Sequence, residues 1–374
     1  MSTPPPPPPR HEQQHLYLVV EGSSEDEYSI HKIDVHEFDP DDDDDIDDLD
    51  SRSRPLPDPL LRVPGERNNA MCFVAHGAKI LAMPSSPGRA GLALDTATST
   101  MTITAGPLPQ TNNGQALCYC NFVSVGDRLY GMDKRNNFEV LRFGSATSRC
   151  SSSSSNGRCW SWSSVPSQPP FNPLCVACYA VHPDGRTVFF SVPHGEAGPE
   201  TFSFDTETVK WTFRGYWRLP FYGQAHYDEE LDAWVGLHND CDRRGRVSCC
   251  DVVPPAAGDE SVDRREQAPP WKLARDRLFR VKGKRHTRGA LVYMGGSTFC
   301  IVERVARKGE VIRQPWKRMD GPPRQLLYVR TFGLKYGKTG RLCVATCGRR
   351  ARCYALPEGT SSDEMFMSLR ALWV

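Results

Sequence analysis

Thiols, carboxylates, histidines and a run of cations are the residues of this chain whose types and spacing suggest chemistry. Cys175-Val176-Ala177-Cys178 has the C-x-x-C spacing used by tetrahedral zinc sites. A zinc site needs a second pair, and the nearest, Cys249-Cys250, lacks a spacer. Cys175 and Cys178 are therefore read as buried thiols, with metal as the alternative. The acidic run Asp41–Asp45, continuing through Asp47, Asp48 and Asp50, lacks the alternation, turn glycine and closing glutamate of a calcium loop. It is expected to hold only a diffuse counter-ion cloud. Asp95 and Asp205 each follow a strand-like run and precede threonine. A repeated position suits a turn, where aspartate accepts backbone N–H groups, better than it suits a unique catalytic constellation. His182 and His226 have no G-x-S-x-G nucleophile signature beside them. Gly337–Arg341 lacks the spacing of a phosphate loop and reads as a hairpin turn. The expectation is a protein without catalytic residues, cofactor or metal, and not an enzyme.

The cations are more distinctive. Arg280, Lys282, Lys284, Arg285 and Arg288 form one cluster, and Arg307–Arg318, with Lys317 and Arg318, forms another around Trp316. Such a patch suits nucleic-acid phosphates with an aromatic for stacking, an import signal, or a solvated loop. Charge is unevenly distributed. Residues 1–60 carry 17 acidic and 4 basic residues, whereas residues 271–374 carry 7 acidic and 23 basic ones. The acidic block is expected to be solvated, to lie against the basic third, or to compete there with an acidic partner.

The elements that must position these residues form a repeat. Its clearest copy, His182–Phe221, has the turn Pro183-Asp184-Gly185, a strand Val188–Val192, and Phe202, Phe204 and Asp205 alternating on a second strand. Trp211 lies on a third strand, and Trp217 with Leu219-Pro220 closes the unit. An earlier copy places Leu92, Leu94 and Asp95 in the same pattern and ends at Leu108-Pro109. Between the two lies a copy containing Trp162 and ending at Val165-Pro166. The terminal prolines 109, 166 and 220 are 57 and 54 residues apart. That period lies near the roughly 50 residues of a kelch blade. A shorter copy follows, with Asp251 and Pro254 in the corresponding places, and then two hairpins, Ala290–Val305 with Gly295-Gly296 as its turn, and Leu326–Cys347.

The fold expected is all-β: a kelch-like β-propeller of six or seven four-stranded blades. Residues 1–15 are assigned to a disordered proline-rich tail, 16–357 to one propeller domain, and 358–374 to a tail or short helix. Within the propeller, 39–66 is read as an acidic disordered insertion, 145–157 and 254–270 as loops, and Tyr28–Phe38 as one strand. The N-terminal strand is expected to join a C-terminal blade and close the ring.

No run of 18 apolar residues suggests a membrane span, and the opening MSTPPPPPPR has no apolar signal core. Fourteen cysteines without such a signal imply free thiols, hence a cytoplasmic or nuclear protein; a monomer is expected.

The phrases FEVLRFG…WSWSSVPSQPPF, ETFSFDTETVKWTFRGYWRLPFYGQAHYDEELDAWVGL and LVYMGGSTFCIVERV, with the opening LYLVVEG…YSIHKIDV, resemble a plant domain-of-unknown-function family, number 1668, much expanded in grasses. The resemblance implies a kelch-like propeller and no established activity. Residues 1–15 are too short and polar for the F-box that leads many plant kelch proteins. A non-catalytic scaffold for a protein or peptide partner is the reading adopted. A hydrolase- or oxidase-type site in the central channel, or nucleic-acid binding by the basic third, are the alternatives.

Overall fold

In the computed structural model the described residues are 14–22, 27–40, 50–65, 71–84, 90–107, 119–133, 136–145, 158–195, 198–239, 245–255, 267–280, 286–310, 324–345, 348–358 and 369–374. Among them the only helical elements are two three-residue 3-10 turns, Val35–Glu37 and Pro173–Cys175. No helix among the described residues is long and apolar enough to cross a membrane.

The strands form five sheets, nearly all from sequence neighbours paired antiparallel. The first contains Leu369–Trp373, Leu16–Glu21, Glu27–Ile33 and Leu61–Pro64, in that spatial order. The second is Met71–His76, Lys79–Pro84, Ala90–Asp95 and Thr100–Pro107, and the third is Tyr119–Val125, Arg128–Asp133, Phe138–Ser145 and Arg158–Ser164. Next comes a double sheet of two four-stranded meanders. One is Cys178–Val181, Thr187–Gly195, Gly198–Asp205 and Lys210–Gly215; the other is Phe221–Asp228, Ala233–His238, Val247–Asp251 and Trp271–Leu273. Their leading strands pair in parallel, Cys178 opposite Gly223. The last sheet runs His286–Gly295, Thr298–Ala306, Gln325–Tyr336 and Arg350–Ala355.

The leading strands touch one another in a closed circuit. Leu369–Trp373 contacts Met71–His76, which contacts Tyr119–Val125, and His286–Gly295 returns to Leu369–Trp373. The Tyr179 hydroxyl, donating to the Phe122 carbonyl at 3.2 Å, links the third sheet to the double sheet. The protein is a β-propeller.

Its core lies between sheets, which explains why the strands are apolar on both faces. Along Ala233–His238, Ala233, Val235 and Leu237 enter the cluster shared with the last sheet, whereas Trp234 enters the cluster within the double sheet. Trp234 is fully buried, and its indole N–H donates to the Val181 carbonyl at 2.9 Å. A wholly buried side chain of this size contributes about 3 kcal/mol, and stacked four-stranded units gain this from their contacts with neighbours.

Four expectations are corrected. Ring closure runs the other way: Leu369–Trp373 joins the first sheet, pairing with Leu16–Val20. This strand also replaces the expected C-terminal helix at its end, residues 359–368 lying outside the described residues. A strand is favoured because alternate side chains reach two cores, Ala371 and Trp373 on one side, Leu372 and Val374 on the other. Residues 39–66 are not one disordered insertion. Leu61–Pro64 is the outer strand of the first sheet, and Asp39–Pro40 and Arg54–Pro55 pair with the outer edge of the last. The strand from Tyr28 stops at Ile33, because the Asp34 carboxylate caps a 3-10 turn by accepting the His36 N–H at 2.8 Å. The tail 1–13, most of 145–157 and the middle of 254–270 lie outside the described residues.

Candidate functional site

The repeated aspartates occupy one topological position. Asp95, Asp205 and Asp251 each end the third strand of a four-stranded unit, opposite the first residue of the second strand: Lys79, Thr187 and Ala233. Asp95 Oδ1 accepts the N–H groups of Ala97 and Thr98, and Asp205 Oδ1 those of Glu207 and Thr208. A bond from Lys79 holds the Asp95 carboxyl below its ordinary range. After Asp251 the chain leaves the sheet, so that residue has the register without the tight turn.

The tryptophans pack. Trp211 is ringed by Phe138, Phe171, Phe190 and Phe204, with its indole donating to the Ser167 carbonyl at 3.1 Å. Trp162 lies against Phe122, and Trp217 is buried with Leu219 and Phe221.

The thiols do not gather. Cys175 ends a half-buried 3-10 turn, and Cys178 starts a leading strand, where burial pushes its thiol up to about 12. Cys250 joins Cys178 in one core cluster, but Cys249 faces the opposite core, since neighbouring residues of a strand point to opposite faces. No group of three potential metal ligands occurs among the described residues. His182 Nδ1 lies 3.0 Å from the Asp184 N–H and 3.2 Å from the Asp184 carboxylate, within its own turn. His226 lies flat on Tyr293 at 6.0 Å, and burial lowers its pKa to about 4.

Of the cations singled out, Arg280 is engaged within the fold. Its backbone N–H donates to Glu303 Oε2 at 2.7 Å, and its guanidinium sits 5.7 Å over the Tyr328 ring. Arg288 lies in the leading strand of the last sheet. Lys282, Lys284, Arg285, Lys317 and Arg318 lie outside the described residues. The acidic flank does meet the basic third: Asp50 accepts the backbone N–H of Lys308 at 2.8 Å, and Asp39 and Glu37 lie 3.9 and 3.7 Å from Arg352.

A different group stands out by exposure. Six large apolar side chains are exposed among the described residues, and five (Leu174, Phe213, Tyr216, Tyr222 and Trp271) belong to the double sheet or the turn leading into it. Four of them share one end. Leu174 precedes one leading strand and Tyr222 starts the other, and the two strands are parallel. Lys210–Gly215 is three antiparallel steps away, so it runs back and delivers Phe213 and Tyr216 to the same end. Tyr222 is 60% exposed, and Phe213 and Tyr216 are 40% and 47% exposed in an edge-on pair 5.0 Å apart. Between them Trp217, Leu219 and Phe221 are core, which fixes the exposed rings on a rigid base.

The family model described as a protein of unknown function, DUF1668, matches residues 13–354. The chain belongs to this family. No curated protein matches it. Solved structures are similar to the chain at low identity. Apo AztD from Citrobacter koseri is 11% identical, with a TM-score of 0.37 over 93% of this chain and 99% of that one. The nidogen/laminin complex is 8% identical, with a TM-score of 0.40 over 91% and 97%. The WD40 domain of SCAP from fission yeast is 9% identical, with a TM-score of 0.30 over 89% and 72%. At these values the likeness carries nothing about activity.

In this DUF1668 chain a buried polar seam also joins the double sheet to the last sheet. Asp228, with no exposure, accepts the Ser297 N–H at 2.9 Å, the Ser297 hydroxyl at 2.6 Å and the Leu231 N–H at 2.9 Å. Ser297 ends a turn in which Gly295, Gly296 and Ser297 all have positive φ (90°, 52° and 50°), a conformation the two glycines adopt readily. Tyr293 joins the seam, raised to about 12 by burial and by the Asp228 carboxylate. Sequence reasoning missed Asp228, Ser297 and the exposed rings. The Gly295-Gly296 turn was visible, but not the partner it reaches.

Proposed function

We propose that this propeller is a non-catalytic protein-interaction scaffold that binds its partner at the end carrying Leu174, Phe213, Tyr216 and Tyr222. The observation that carries this reading is the exposure of the Phe213, Tyr216 and Tyr222 rings on a segment whose Arg214, Trp217, Leu219 and Phe221 are buried. Aromatic side chains on a rigid base lose little freedom on binding and supply large contact area, which makes them the usual anchors of protein interfaces. We read the strand pairings as six kelch-like blades, the double sheet contributing two. The compartment we propose is the cytoplasm or nucleus, in keeping with eight of the described cysteines being free thiols.

The test is affinity capture from an extract of the source organism, with the wild-type chain and the Phe213→Ala/Tyr216→Ala/Tyr222→Ala variant as baits. Both baits should melt alike, and the variant should lose the proteins that wild type retains. A wild-type bait that retains nothing above background, or a variant that retains the same proteins, would refute the assignment.

A further inference from the structure

The outer edge of the last sheet, remote in sequence from the aromatic end, already holds a stretch of this chain in the way a receptor holds a peptide. Residues 36–40 leave the first sheet and lie along Arg350–Ala355, more than 300 residues away in sequence. Phe38 is the anchor: it is 2% exposed, edge-on to Tyr354 at 6.5 Å, and 5.4 Å beneath the Arg352 guanidinium. The backbone is held independently of side-chain identity. Arg350 donates to the His36 carbonyl at 2.6 Å, and Arg352 donates to the Glu37 carbonyl. Asp39 and Pro40 add a two-residue antiparallel ladder opposite Ala351 and Arg350.

Charge supplies the remaining selectivity. The Glu37 and Asp39 carboxylates lie 3.7 and 3.9 Å from Arg352, and Asp39 lies 3.2 Å from Arg54. Arg352 is only 12% exposed, whereas Glu37 and Asp39 are 72% and 61% exposed. The cation is thus built into the edge, and the anions lie over it from the solvent side. A second short segment, Arg54–Pro55, pairs in parallel with Tyr354 and Ala355. The edge therefore accepts added strands in either direction, as sheet edges that capture extended peptides do.

We propose that this edge is a receptor for an extended acidic peptide with a central phenylalanine, and that residues 36–40 are its resident, autoinhibitory occupant. Arg350 and Arg352 bind the backbone, the pocket formed by Tyr354 and Arg352 takes the ring, and Arg352 and Arg54 select flanking carboxylates. A covalently tethered occupant competes at an effective concentration of about a millimolar, so the wild-type receptor is masked from free peptide at lower concentrations.

The test titrates the full-length chain with a fluorescein-labelled peptide of residues 34–41 (Asp-Val-His-Glu-Phe-Asp-Pro-Asp), read by anisotropy at low salt. Phe38→Ala empties the pocket and should bind the peptide about tenfold or more tightly than wild type, because the tethered competitor is lost. Glu37→Lys/Asp39→Lys changes only exposed side chains and keeps the core anchor, so it serves should Phe38→Ala fail to fold; an increase of about threefold or more is expected as charge competition falls. Adding Arg352→Ala, or using a peptide with alanine in place of phenylalanine, should abolish the gain. Folded variants that bind no better than wild type, or binding that survives Arg352→Ala, would overturn the proposal and leave residues 36–40 as a structural strap.

Discussion

Replacing Asp228 with alanine should loosen the junction between the double sheet and the last sheet more than any other single polar change. The carboxylate is wholly buried and accepts three hydrogen bonds, from the Leu231 N–H, the Ser297 N–H and the Ser297 hydroxyl. Asp228→Ala leaves all three donors without an acceptor, at about 1 kcal/mol or more each, so a loss of about 3 kcal/mol is expected. Asp228→Asn keeps Oδ1 for Leu231 and the Ser297 hydroxyl but turns an amide N–H₂ toward the Ser297 N–H, so it should cost about 1–2 kcal/mol. Ser297→Gly removes the hydroxyl while suiting the positive φ of 50°. The pair should couple, so that the double variant loses about 1 kcal/mol less than the sum of the single ones. Urea denaturation at pH 7.5, with m-values checked for constancy, measures each quantity. A loss below about 1 kcal/mol for Asp228→Ala, or strict additivity with Ser297→Gly, would refute the view that this seam ties the two sheets.

Acid should destabilise the fold above the usual carboxylate range. His226 has a folded pKa of about 4, so only the unfolded chain takes up its proton as pH falls below about 6.5. The associated stability, complete above pH 6.5, is lost between there and pH 4, about 2 kcal/mol of it by pH 5. His226→Gln should flatten this part of the urea-midpoint profile, and an unchanged slope would contradict it; His15, His31 and His76, also lowered by burial, act in the same direction. Deleting Leu369–Val374 removes the strand that closes the ring and opens two cores, so thermal melting should lose its cooperative transition. A sharp melt within a few degrees of wild type would refute that closure. Cys178, buried and raised to about 12, should react with a thiol reagent only in denaturant, as mass spectrometry of labelled peptides would show. Asp205→Ala removes two exposed turn bonds and should cost about 1 kcal/mol in urea, well below Asp228→Ala.

The sequence alone determined the repeating β architecture and most of its turns. Pro183-Asp184-Gly185, Gly295-Gly296 and the aspartates at 95 and 205 are local devices, readable because a turn depends on residues two to four apart. The alternation in Phe202–Asp205 and Leu92–Asp95 is likewise local, and those runs are strands. What the tertiary structure decided were relations between distant residues. Leu369–Val374 is short and apolar enough to suit helix or strand, and the open edge of Leu16–Glu21 selects strand. Asp228 meets Ser297 across 69 residues, and Arg350 meets His36 across 314, separations that leave no mark in composition or period. Phe213, Tyr216 and Tyr222 are of the same residue class as Trp217 and Phe221, yet only the last two are covered. Burial is a property of what the other sheets bring alongside a side chain, so a linear pattern can name the rings but cannot say which of them remain in water.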